Sequence, residues 1–113
     1  MPGQIQRTRG KAAYRRAVDA ANKKPINTVA PAITGTATQG QTLTVSNGTW
    51  TNTPDSYAYQ WNRSGVPIAG ATANTRVLAA ADVGATMTCT VTATNEGVST
   101  SKTSAPTAAV AAP

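Results

Sequence analysis

Two rhythms of apolar and polar positions run along this chain, and the change between them falls at Pro25. Residues 11–22 (KAAYRRAVDAAN) place Tyr14, Ala17, Val18 and Ala21 at i, i+3, i+4 and i+7, which is one face of a helix. The segment is rich in alanine and arginine, which favour that state. Asn22, Lys23 and Lys24 suit a helix end, and Pro25 would stop it. Residues 1–10 (MPGQIQRTRG) are polar, carry Gly and Pro, and are expected to be extended. A single helix of this length is marginal in water, so the segment is expected to order against a partner.

After Pro25 the period becomes two. In Thr86–Asn95, Met87, Cys89, Val91 and Ala93 alternate with five threonines, the pattern of a half-buried strand. Tyr57, Tyr59 and Trp61 alternate in SYAYQWN, and Leu43 and Val45 alternate with Thr42 and Thr44. Asn95-Glu96-Gly97 and Ser64-Gly65 are turn signals between such runs. Roughly seven short strands with frequent turns predict an all-β antiparallel β-sandwich. The expected core is Leu43, Val45, Tyr59, Trp61, Met87, Cys89 and Val91.

Charge follows the same division. Residues 1–24 hold seven bases (Arg7, Arg9, Lys11, Arg15, Arg16, Lys23 and Lys24) against Asp19 alone. Residues 25–113 hold three bases (Arg63, Arg76, Lys102) against three acids (Asp55, Asp82, Glu96). Such a split predicts a basic docking arm over 1–24 and a self-contained neutral domain over 25–113. The domain is just long enough to bury a core without staples. Cys89 is the only cysteine, so no intramolecular disulfide forms, which is compatible with a reducing cytosol. Among residues 1–24, only Ile5, Tyr14 and Val18 follow Met1 as large apolar groups, so no secretion signal is read. No apolar run approaches the ~20 residues of a membrane span, and no membrane insertion is expected. The starting Met1 and the plain Ala-Ala-Pro ending read as a complete chain rather than a fragment.

Four stretches carry a family likeness: Tyr59-Gln60-Trp61, Ile68-Ala69-Gly70-Ala71, Ala81-Asp82-Val83-Gly84, and Cys89 through Asn95. Over about residues 27–108 the chain resembles the immunoglobulin-like domains of bacterial and bacteriophage surface proteins. The resemblance implies that Trp61 lies on the third strand and packs opposite Cys89, and that Asp82-Val83-Gly84 turns into the strand bearing Cys89. Three departures stand out. The position that would pair with Cys89 is aliphatic, Leu43 or Val45; Met87 replaces a corner tyrosine; and Arg76 replaces an aromatic. Arg76 is expected at the sheet margin with its head in water.

No catalytic constellation is found, and no cofactor is expected. The chain has no histidine, and its few carboxylates are scattered in turns. Cys89 reads as a packed thiol and Asp82 as a turn residue. Metal sites of Cys/His spacing cannot be built. The Asn47-Gly48-Thr49 and Asn62-Arg63-Ser64 triplets read as chance glycosylation matches. Trp50, in a Gly-Thr-Trp-Thr-Asn stretch, is the candidate glycan contact.

The resemblance implies a structural virion protein, a capsid decoration protein assembled in the host cytoplasm. Arg7, Arg9, Lys11, Arg15, Arg16, Lys23 and Lys24 would face an acidic outer surface of the major capsid protein, where arginine pairs carboxylates bidentately. Tyr14 and Val18 would add apolar contact. The outward domain would stabilise the shell or adhere weakly to cell-surface or mucosal glycans. Alternatives are an accessory protein of a phage tail or fibre, and a nucleic-acid-binding protein acting through the arm, whose seven bases suffice for non-specific phosphate contact.

Overall fold

The computed structural model describes residues 23–113, so the expected helix over 11–22 lies outside the described residues. Within them the protein is all-β, built from short strands in antiparallel sheets. The longest ladder is the one whose alternation is clearest in the sequence. Strand β8 (Met87–Asn95) pairs along β5 (Ser56–Arg63), from Ser56 opposite Thr94 to Arg63 opposite Met87. On its other side it pairs β9 (Val98–Thr103). The short β6 (Val66–Pro67) completes a four-stranded sheet of order β6-β5-β8-β9.

Both hairpins in this sheet turn on two residues. Ser64 and Gly65 join β5 to β6, and Glu96 and Gly97 join β8 to β9. All four have positive φ (48°, 83°, 49° and 83°), the geometry that matches the twist of the flanking strands.

A second sheet has the order β2-β3-β7, with β2 (Ile33–Thr34), β3 (Thr42–Val45) and β7 (Thr75–Val77). A two-stranded ribbon joins β1 (Asn27–Val29) to β4 (Thr49–Trp50). Between β7 and β8 the chain makes one 3-10 turn, Ala80–Asp82. Beyond β9 the chain keeps to β8: Ser104 exchanges hydrogen bonds with Cys89, and Thr107 with Met87. Val110 and Ala111 then make parallel bridges to Val83 and Thr38.

The two larger sheets share one core. Leu43 and Val45 come from the smaller sheet and Trp61, Met87, Cys89, Val91 and Ala93 from the larger, with Trp50, Leu78 and Val110 joining them. The period-two reading of β8 holds at every position: Met87, Cys89, Val91 and Ala93 are fully buried, and the intervening threonines are not. Trp61 sits opposite Cys89 in the ladder and is also fully buried. Its indole N–H donates to the Ala73 carbonyl at 2.7 Å, which ties β5 to the loop before β7.

Tyr59 departs from expectation. It is only partly buried, at the margin of the core, because its hydroxyl reaches out to donate to Asn47 Oδ1 at 2.5 Å. Burial, helped by neighbouring Tyr57, raises the phenol's pKa, and the Asn47 contact only partly opposes this.

Candidate functional site

Three polar constellations stand out among the described residues, and each lies where strand ends or faces bring side chains together. The first is at the end of the larger sheet, where the chain leaves the basic segment. Asn95, the last residue of β8, donates its side-chain amide to the Lys23 carbonyl at 3.1 Å and to the Asn52 carbonyl at 2.8 Å. Asn52 in turn donates to the Lys24 carbonyl at 2.9 Å. The Lys23 ammonium meets Glu96 at 2.5 Å across a partly exposed surface. Pro25 is buried outright, and Ile26 and Thr51 bond each other through the Ile26 N–H to Thr51 Oγ1 and the Thr51 N–H to the Ile26 carbonyl.

Two backbone positions on the β4–β5 connection are held at positive φ, Asn52 at 62° and Thr53 at 41°. Asparagine tolerates this region, whereas a β-branched threonine adopts it only under constraint from its surroundings. Of the residues expected to bind a capsid, Lys23 and Lys24 are therefore engaged with the domain through their main chain. Arg7, Arg9, Lys11, Tyr14, Arg15, Arg16 and Val18 lie outside the described residues.

The second constellation lies at the opposite end of β5. The Asp82 carboxylate is fully buried and receives Arg63 Nε at 2.8 Å, two nitrogens of Arg76 at 2.9–3.2 Å, and the Ala79 N–H at 2.9 Å. Arg76 was expected to reach water. Instead it folds onto Asp82 and only 16% of its side chain remains exposed. Burial alone would raise the Asp82 carboxyl. The Ala79 N–H and the two guanidinium groups outweigh it and hold the pKa below the usual carboxylate value. With every acceptor position turned to these donors, the group binds β5, β7 and the 3-10 turn together.

The third is a face. On the side of the larger sheet turned away from the core, Thr90 pairs Thr103, Thr92 pairs Ser101 and Thr94 pairs Ser99, with hydroxyl oxygens 2.7–2.9 Å apart. Asn62 adds side-chain hydrogen bonds to Thr88 and Thr90. Ser56, Ala58 and Gln60 continue the face along β5, and among the described residues no ionisable side chain of these strands points from it.

Trp50, the candidate glycan contact whose other reading is structural, lies away from these three constellations. Trp50 is a core residue, 8% exposed, and its indole N–H donates to the Asn47 carbonyl at 2.6 Å. That placement leaves no open ring face on which a sugar could stack. A groove of about 410 Å³ lies between Val29–Ile33 and Ala105–Thr107, lined by alanine, proline, valine, isoleucine and one threonine. It brings no charged group to a bound molecule. Cys89 is enclosed, and burial pushes its thiol up to about 11. No cluster of His, Cys, Asp and Glu able to hold a metal occurs among the described residues.

Neither the Asn52–Asn95 constellation nor the Asp82 pairing was singled out as a site from the sequence. The signal for the second was the neutral charge balance of the domain, but its partners are set by topology. No protein-family model matches the chain, and no curated protein matches it.

Proposed function

We propose that this protein is a bacteriophage capsid decoration protein: an immunoglobulin-like β-sandwich displayed on the head by a basic N-terminal arm. The observation that carries the reading is the segregation of charge, net +6 within residues 1–24 beside a neutral β domain. An arm rich in arginine suits the carboxylates of an acidic capsid surface. The immunoglobulin-like assignment is supported by the pairing of β3 with β7 in one sheet and of β5 with β8 and β9 in the other, with Trp61 buried beside Cys89. The virion setting draws on the likeness of the Tyr59–Trp61, Ile68–Ala71, Ala81–Gly84 and Cys89–Asn95 stretches to phage-displayed domains. Weak adhesion to glycans by many copies on a symmetric shell would gain from avidity where the target is also multivalent.

Co-sedimentation with mature phage heads, and separately with duplex DNA, tests the proposal at low and high salt. The full chain is expected to bind heads saturably, in whole numbers of copies per capsomer, and residues 23–113 alone are not. Binding of the full chain to DNA but not to heads would replace this reading with non-specific phosphate contact through the arm.

A further inference from the structure

We infer that this protein pairs with a second copy of itself through the open edge of β9, the two β9 strands running antiparallel about a two-fold axis at Ser101. The inference stands on the β domain alone and does not rest on the decoration reading.

β9 is the last strand of the larger sheet, so one of its edges is paired to β8 and the other is not. The ladder fixes which groups lie on the open edge. Ser104 donates its N–H to the Cys89 carbonyl, and hydrogen-bonded pairs alternate along an antiparallel ladder. Val98, Thr100 and Lys102 therefore bond to β8, while Ser99, Ser101 and Thr103 turn their N–H and C=O groups outward. Among the described residues, nothing hydrogen-bonds to these outward groups. Such an edge is a template for another strand.

The edge matches a copy of itself. With Ser101 opposite Ser101 of the second copy, Ser99 falls opposite Thr103, and these outward residues become the hydrogen-bonded pairs. Their hydroxyls already form a ladder with β8, and the second copy continues it across the axis. On the other face, Thr100 falls opposite Lys102 of the second copy. Thr100 Oγ1 is buried and has no hydrogen-bond partner, a state that calls for an explanation. Lys102 is exposed and makes no ion pair among the described residues. In a non-hydrogen-bonded pair the Cα atoms approach to about 4.5 Å. A χ1 rotation that exchanges the Thr100 hydroxyl with its methyl turns the oxygen to the edge, where the Lys102 ammonium of the second copy donates to it. The two-fold makes this contact twice.

The association closes at two chains. The opposite edge of the larger sheet is β6, two residues long and ending in Pro67, which has no N–H to offer. The two Lys102 residues are diagonal neighbours, with Cα atoms about 7–8 Å apart. Salt screens their repulsion, so it strengthens the pairing.

Sedimentation equilibrium of the full chain tests this. The mean mass is expected to rise toward that of two chains, and no further, between about 10 μM and about 1 mM, and to rise more readily in high salt. Ser101→Pro removes an N–H that only the second copy uses and keeps the backbone bonds to β8. It is expected to weaken association at least about tenfold with an unchanged circular dichroism spectrum. Thr100→Val, which keeps the shape and loses the hydroxyl, is expected to weaken it at least about threefold.

The register is read without a proline. At a hydrogen-bonded pair the Cα atoms lie about 5.5 Å apart, within disulfide range. Ser101→Cys chains are expected to oxidise to a linked dimer at least about tenfold faster than Ser99→Cys chains, whose two copies lie roughly 14 Å apart. Cys89 is buried and takes no part. A chain that stays monomeric at about 1 mM would overturn the inference. So would association that weakens with salt, a Ser101→Pro dimer as tight as the parent, or equal rates for the two cysteine variants.

Discussion

Asp82 keeps a charge out of water because three partners replace the water it gives up. Removing one member of a buried pair costs about 3–5 kcal/mol. Asp82→Ala belongs at the low end, since the Arg63 side chain is 34% exposed and can be hydrated. We expect a loss of about 3 kcal/mol at pH 7 in a denaturant titration. The pH dependence has a definite sign. The folded carboxyl lies below its unfolded value of about 3.9, so its contribution is complete only above about pH 5 and is lost as pH falls from there through the folded value. The Asp82→Ala protein should therefore show a flatter acid limb of stability against pH than the parent. Trp61→Ala, which empties the largest fully buried side chain, is expected to cost about 3–5 kcal/mol in the same assay. Cys89 gives a third check at this scale. A thiol raised to about 11 and sealed in the core is expected to resist a disulfide reagent at pH 8 until denaturant is added, then to react fully.

At the level of elements, β8 was legible in the sequence because a threonine at every second position leaves only one face that can be buried. The two hairpin turns were legible because serine or glutamate followed by glycine falls where both central residues need positive φ. The ribbon of β1 and β4 was not. Its strands have two or three residues each, too few for a period to register. Its geometry depends on Gly48, at φ 75°, where an added Cβ would come within 2.3 Å of the Val29 carbonyl oxygen and 2.9 Å of Pro31 N. Gly48→Ala is thus expected to cost at least about 1–3 kcal/mol, read as a lowered denaturation midpoint with an unchanged slope. The Arg76–Asp82 and Arg63–Asp82 pairs were hidden for another reason. They join residues 6 and 19 positions apart through the stacking of separate sheets, and no local spacing announces them. The same holds for Asn95 and Lys23, 72 positions apart.

For the molecule as a whole, the sequence places the boundary between arm and domain at Pro25, while Lys23, the first of the described residues, already contacts the domain. The difference can be measured by thermal denaturation of two truncated proteins. Residues 23–113 are expected to melt within a few degrees of the full chain. Residues 27–113, which lack Pro25 and Ile26 and the capped lysine carbonyls, should be less stable by about 1–2 kcal/mol.

The ladder of paired hydroxyls on the larger sheet has a consequence for how such a protein behaves in different media. Each of its threonines and serines satisfies a neighbour, and nothing on that surface gains or loses a proton. Its charge state is accordingly unchanged across pH. If the basic arm docks on an acidic surface as proposed, its hold weakens as salt rises, because ions screen the charges on both sides. On the proposed reading, one polypeptide would thus join two parts that answer to different solution variables. On that proposed reading, a brine wash would release the chain from an acidic support while leaving the hydroxyl surface undisturbed.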